Sequence, residues 1–471
     1  MKHSIAILLF LLPTLFYSDA SAISPILSNN VKLTGTVSDY NGEYMLFRYK
    51  DQLDTIWVKE GGSFTYAFEM DQPMECRILA ARTQQRLFLQ PGDLLNIEFS
   101  AASNTAYPKI TGATAAYSSF YERFMLEDKS NLRFTHTKVT VGKGPSVVAT
   151  QMDSVTNVRI AFVQKYCKEN NLNQAFCDYQ ITAMRYLCSS DMAAYRRMSN
   201  FYNPDSIPGE TKMFDQVMMK VPTNNPGFIY NEYYQSYVRQ IAMGNAQKSM
   251  QLTSAEQLPE FYSLQFDEIM KLVVNQEGRN YLLKELVVDA IKETGTRNIQ
   301  PLIDRFNTSC DNEPMKQRVA RVWNPYKAIQ VGMPCPDMEC YFSNGDNINV
   351  RELKGKVVYM DVWATWCGPC KKEIPMLKEL EAYYHDRGVE FMSISTDQDV
   401  EKWKAFIIDQ SLTGLQVHQS DNMDLSVSKN FMVNSIPRFI LLDKEGNIVS
   451  ADAPRPSSGA VIREMIDKLL L

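Results

Sequence analysis

The run Val357-Val358-Tyr359-Met360-Asp361-Val362-Trp363 is apolar apart from one acid, and it leads to Cys367-Gly368-Pro369-Cys370 just before a helical pattern. A strand that feeds a helix through Cys-x-x-Cys is the setting of a redox dithiol. Cysteines three apart on a first helical turn face the same side and lie close enough to bridge with little backbone movement. Cys367 falls at the helix N-terminus, where free N–H groups and the macrodipole stabilise a thiolate and lower its pKa. Pro369 suits the first turn, because its missing N–H would have had no partner there. Gly368 leaves the approach to the sulfur uncrowded. A structural zinc half-site and a plain structural disulfide are the competing readings. Zinc needs a second pair of ligands, and no second Cys-x-x-Cys or His-x-x-x-His occurs in the chain. No metal or cofactor is called for.

A chain of 471 residues has room for about three domains at ~150 residues each. With 45% hydrophobic and 22% charged residues, it reads as globular throughout. The N-terminus differs in kind. Met1-Lys2-His3 is positive, Ile5 to Tyr17 is apolar, and Ala20-Ser21-Ala22 offers a small-residue cleavage site. This pattern predicts a secretory signal peptide over 1–22, too short to span a bilayer. Ile23 rather than a cysteine follows, so no lipid anchor is suggested and the mature protein is expected to be exported and soluble. Losing Lys2 and Asp19 leaves the net charge at −5, which carries no sign of nucleic-acid binding. Nine cysteines in a chain this long are not a disulfide scaffold, and an odd number leaves one thiol free or only transiently paired.

From Val31 to Phe99, short alternating runs separated by turns such as Asn41-Gly42, Gly61-Gly62 and Pro91-Gly92-Asp93 predict a small antiparallel sandwich, the β-domain of residues 23–110. Residues 111–328 change character. Segments such as Val155 to Tyr166, Ala175 to Leu187, Phe228 to Ile241, Glu260 to Val274 and Asn280 to Glu293 carry apolar residues at helical spacing and predict a helical middle domain. Cys167, Cys177 and Cys188 lie there. A second redox or metal cluster is one reading, and small apolar cysteines filling a helical core is the favoured one. Tyr230, Tyr233, Tyr234 and Tyr237 read as core packing ahead of a ligand groove. Residues 329–471 then alternate strands and helices as a connected α/β domain. A strand at Val389 to Ser395, a helix at Val400 to Asp409, a hairpin across residues 443–447 and a closing helix from Ser458 are its further elements.

This last domain resembles the exported thioredoxin-like thiol–disulfide oxidoreductases of the TlpA/ResA group. The shared residues are Leu353-Lys354-Gly355-Lys356-Val357-Val358, Trp363, Trp366 to Cys370, Glu373 and Pro375, with a cis-proline loop at Ser435-Ile436-Pro437-Arg438. The likeness covers about residues 330–471, under a third of the chain. The β-domain is similar in pattern to one often fused ahead of such modules. The implied fold is therefore multidomain: an N-terminal antiparallel β-sandwich-like domain, a helical middle and a C-terminal α/β thioredoxin fold.

The resemblance also implies roles. Cys367 is the exposed nucleophile, and Cys370, one turn inside the helix, resolves the mixed disulfide. Cys370 must lose its proton while buried, so a nearby base helps. Asp361 stands where thioredoxins carry a buried acid, and Glu373 stands where the TlpA/ResA group carries its glutamate. Asp361 is the preferred base. Glu373 tunes the thiols or is a solvated carboxylate beside Lys371 and Lys372. Pro437 is expected in cis, with the Ile436 backbone pairing to an extended substrate. Trp366, Gly368, Pro369 and Ile436 are the expected substrate-binding residues. Cys335 and Cys340 depart from the family pattern, and their spacing fits either a second disulfide or two independent thiols.

Cys-Gly-Pro-Cys, as in thioredoxin, implies a potential of about −270 mV and so a reductase. Its substrates would be oxidised exported proteins, apocytochrome c among the family's, and a membrane thiol-transfer protein would supply electrons. The alternatives are a partner-binding or scaffold protein with an accessory thioredoxin module, or a disulfide isomerase or oxidase. A peroxidase is disfavoured, because related peroxidatic sites use a lone cysteine in this loop.

Overall fold

The computed structural model describes residues 29–81, 83–102, 107–128, 145–202 and 221–471. The predicted signal peptide lies outside them. The described chain divides into two compact units: the N-terminal strands with residues 166–176, and residues 145–165 with everything from 177 onward.

In the first unit, β1 (Asn30–Ser38), β2 (Tyr44–Tyr49), β3 (Gln52–Trp57), β4 (Ser63–Glu69), β5 (Met74–Ala80), β6 (Thr83–Leu89), β7 (Leu94–Ser100) and β8 (Lys109–Thr111) form two four-stranded sheets. Their orders are β4-β1-β7-β8 and β3-β2-β5-β6. Alternation sends Val31 and Leu33 of β1 inward, where they share one core with Phe47, Ile78, Leu87 and Ile97 from both sheets. One ladder departs from the antiparallel expectation, since β1 and β7 run parallel. β5 is a strand despite Glu75 and Arg77. The Glu75 carboxylate is buried but lies 3.2 Å from Arg77 and 2.7 Å from Arg86 on β6, so its charge is compensated. α1 (Ala115–Glu127) follows these strands.

The helical region comprises α2 (Pro145–Glu169), α3 (Gln174–Tyr202), α4 (Glu232–Ser249), α5 (Leu258–Leu272), α6 (Gln276–Thr294), α7 (Gln300–Ser309) and α8 (Glu313–Lys327). Asn231, Asn275 and Asn312 cap α4, α6 and α8 by accepting first-turn backbone N–H groups, each worth about 1 kcal/mol. Tyr234 and Tyr237 are buried, and Tyr234 donates its hydroxyl to the Thr223 carbonyl at 2.8 Å. They are core residues. Cys188 is a buried free thiol, as the packing argument requires, but Cys167 and Cys177 are disulfide-bonded.

The C-terminal fold is a seven-stranded sheet of order β10-β9-β13-β12-β11-β14-β15. Its strands are β9 (Glu339–Phe342), β10 (Asn347–Asn349), β11 (Val357–Trp363), β12 (Val389–Ser395), β13 (Leu415–Gln419), β14 (Arg438–Leu442) and β15 (Ile448–Ser450). β11 is buried along its whole length, parallel to β12 and antiparallel to β14. α9 (Gly368–Tyr384) crosses over from β11 to β12, α10 (Val400–Asp409) from β12 to β13, and α11 (Ala460–Leu470) closes the chain. Val357 and Tyr359 pack with Leu377, Leu380 and Tyr384 of α9 and with Ile462 and Ile466 of α11. The helical region braces this fold directly. Arg297 after α6 forms an ion pair with Asp452, and Asn434 donates to the Tyr326 hydroxyl at 3.1 Å. Among the described residues no helix is long and apolar enough to cross a membrane.

Candidate active site

The chain leaves the carboxyl end of β11 and turns into α9 with Cys367 as its N-cap. Cys367 and Cys370 are joined by a disulfide with Cα atoms 5.3 Å apart. The Cys367 sulfur also accepts the Cys370 N–H at 3.1 Å. Once reduced, a Cys367 thiolate would meet that N–H and the positive end of the helix dipole. Both cysteines are only 4% exposed, packed with Trp363, Ala364 and Trp403 and touched by Ile436. Cys367 is therefore not the open sulfur the resemblance implies, because these apolar groups cover it in the oxidised form. Trp366, at 65% exposure, and exposed Gly368 and Pro369 flank it. The Ile436–Pro437 peptide is cis, and Ile436 brings this loop to the sulfur cluster.

The two acids part company. Asp361 on β11 is 9% exposed and shares with Cys370 a cavity of about 20 Å³, lined also by Trp363, Ser393 and Glu381. Burial pushes its carboxyl up to about 7, a hydrogen bond from Ser393 opposes the rise, and the nearby Glu381 charge adds to it. A carboxyl poised there exchanges protons near neutral pH. Glu373 points elsewhere. It is 7% exposed, and its carboxylate accepts the Ser457 N–H at 3.0 Å and the Ser457 hydroxyl at 2.9 Å. The expectation of a solvated carboxylate fails for this reason: the side chain ties the active-site helix to the turn before α11.

Sequence reasoning passed over the support beneath the dithiol loop. Asp397 is buried just beyond β12 and accepts from the Thr365 N–H at 2.8 Å, the Thr365 hydroxyl at 2.7 Å and the Ser395 hydroxyl at 2.8 Å. His418 Nε2 lies 2.6 Å from the Asp397 carbonyl oxygen. Asp397 thus clamps the residue two before Cys367. The available signal was position, since Asp397 follows β12 at the carboxyl end of the parallel β11, β12 and β13, where sites of α/β folds gather. Cys335 and Cys340 are both buried free thiols, and burial pushes each up to about 12. They do not form the second disulfide.

The chain is similar in sequence to known proteins. The Redoxin family profile matches residues 330–463. The thiol–disulfide oxidoreductase ResA of Bacillus thuringiensis (strain Al Hakam) is 31% identical over 121 residues, covering 26% of this chain and 68% of that protein. ResA of Bacillus subtilis (strain 168) is 28% identical over 123 residues, covering 26% and 67%. Among solved structures, the thioredoxin domain of a thiol–disulfide oxidoreductase from Bacteroides vulgatus is 27% identical, with a TM-score of 0.28, covering 30% of this chain and 98% of that one. Through its C-terminal domain the chain belongs to the TlpA/ResA-like family of thiol–disulfide oxidoreductases.

Proposed function

We propose that the protein is an exported reductase of disulfides in other exported proteins. The observation that carries this reading is the Asp361 carboxyl, buried with Cys370 in one cavity behind the dithiol and pushed up to about 7. The Cys367 thiolate attacks a substrate disulfide, an S–S bond forms between them, and the substrate's other sulfur leaves as thiolate. Cys370 then gives its proton to Asp361 and attacks the Cys367 sulfur. The intramolecular disulfide forms, the bond to the substrate breaks, and the second substrate thiolate departs. Two electrons have moved from the dithiol to the substrate. A membrane thiol-transfer protein returns two electrons and resets the pair.

Within this scheme Trp366, Gly368, Pro369 and the Ile436–Pro437 loop receive the substrate. The signal-peptide pattern at 1–22 supports export to the periplasm. Direction is tested by a redox titration of the Cys367–Cys370 pair. A value of about −270 mV is expected, and one of about −120 mV would make the protein an oxidant instead.

A further inference from the structure

One strip of α9 faces β11. Cys370, Ile374, Leu377, Lys378 and Glu381 fall at i, i+4, i+7, i+8 and i+11, and all five line the cavity that holds Asp361. Eleven residues carry this strip about 16 Å down the helix from Cys370. The two ends of the cavity differ in exposure. Cys370 and Asp361 are buried, Glu381 is half-buried, and Thr413, whose hydroxyl donates to the Glu381 carboxylate, is exposed. The backbone closes tightly there, since a Cβ on Gly414 would stand 3.0 Å from Glu381 Oε1.

The lining is mostly apolar but carries a few polar groups. Trp363 Nε1, a donor, and Gln416 Oε1, an acceptor, belong to lining residues and have no hydrogen-bond partner among the described residues. With the Asp361 carboxyl they offer three partners around a volume that fits one water molecule. The titratable and charged groups around Glu381, among the described residues lining this cavity, are Lys378 on its own helix, Asp361 on β11 and Cys370. Burial raises the Glu381 carboxyl above its ordinary range, with Thr413 and Lys378 opposing, which favours transient protonation.

We propose that Glu381 is the proton outlet of the resolving step: the proton that Asp361 takes from Cys370 crosses the cavity to the Glu381 carboxylate and reaches solvent beside Thr413. This inference rests on the reductase reading, in which a substrate joined to Cys367 lies over the dithiol end while Cys370 ionises. The outlet then lies on the flank, clear of the substrate. The balance is simple. Cys370 S–H breaks, Asp361 gains the proton, Glu381 accepts it from Asp361 and releases it to water, and no other reactant enters.

The test is single-turnover resolution of the mixed disulfide between the reduced protein and a disulfide peptide, followed by acid quench from pH 5 to 9. Glu381→Gln is expected to lower the plateau rate about tenfold, less than the 10²–10⁴ typical of losing a general base outright. Its acid limb moves to lower pH, because the charge that raises Asp361 is gone. Glu381→Asp restores the plateau. A shifted limb with an unchanged plateau would reduce Glu381 to an electrostatic neighbour and overturn the outlet. A plateau loss that Glu381→Asp does not restore would mean lost packing, and would overturn it too. Asp361→Asn separates the two readings. If it resolves at the wild-type rate, the base assignment itself fails; if it is slow while Glu381→Gln is normal, only the outlet falls.

Discussion

Replacing Asp361 by asparagine should make the protein slower and, above neutral pH, more stable. The carboxyl goes from 3.8 when free to about 7 when folded. At 1.36 kcal/mol per pKa unit, burying the charged form costs up to about 4 kcal/mol. The folded pKa is raised, so folding suffers nothing below about pH 4, where the acid is neutral in both states. Stability falls by about 1.4 kcal/mol per pH unit as the unfolded chain ionises first, and levels off once pH passes the folded value near 7. Asparagine resembles the neutral acid and escapes this loss. Urea unfolding of the oxidised protein, followed by the fluorescence of Trp363 and Trp403, should give equal midpoints at pH 4 and a higher one for the variant at pH 8. Disulfide reduction by the same variant should fall at least about tenfold, toward the 10²–10⁴ of a lost general base. A variant no more stable than wild type at pH 8, or a gap independent of pH, would refute the buried-base argument.

Other consequences can be measured separately. Glu373→Gln weakens two hydrogen bonds from Ser457 to a carboxylate, costing about 2 kcal/mol, and hydrogen exchange should show lost protection at the Ser457 amide. Asp397→Ala strips three donors of their acceptor beneath the dithiol loop and should cost about 3 kcal/mol, with Asp397→Asn recovering part of the urea midpoint. In the reduced native protein at pH 8, iodoacetamide should label Cys367 and spare Cys335 and Cys340, whose thiols are buried and pushed up to about 12. Mass spectrometry of the labelled peptides decides this, and labelling of either thiol as fast as Cys367 would contradict the raised thiol pKa that burial gives them.

What was legible in the sequence was what short-range pattern carries. The apolar run of β11 and the Cys-x-x-Cys turn lie within fourteen residues, Val357 to Cys370, so period and spacing pointed to a redox dithiol, and the family resemblance added the role of Asp361. The partners of these residues come from far along the chain. Ser457 reaches Glu373 across 84 residues and Asp397 reaches Thr365 across 32, and neither pairing leaves a local trace. β13 was missed because Leu415-Gln416-Val417-His418-Gln419 is short and only weakly apolar, although it does alternate. With it went Gln416 and His418. The parallel β1–β7 ladder was hidden for another reason, since alternation reports which face is buried and says nothing of strand direction. The packing of Trp403 against Cys367 was equally invisible, because it arrives from the separate α10, whereas the resemblance had already placed the Ile436–Pro437 loop at the dithiol.

The most direct test of the account is reduction of insulin disulfides by the full mature chain with dithiothreitol, beside Cys367→Ser. The account predicts rapid precipitation of the insulin B chain with wild type and none above the dithiothreitol background with the variant. Equal rates in the two proteins, or no activity in either, would contradict the claim that the Cys367–Cys370 pair makes this chain a protein-disulfide reductase.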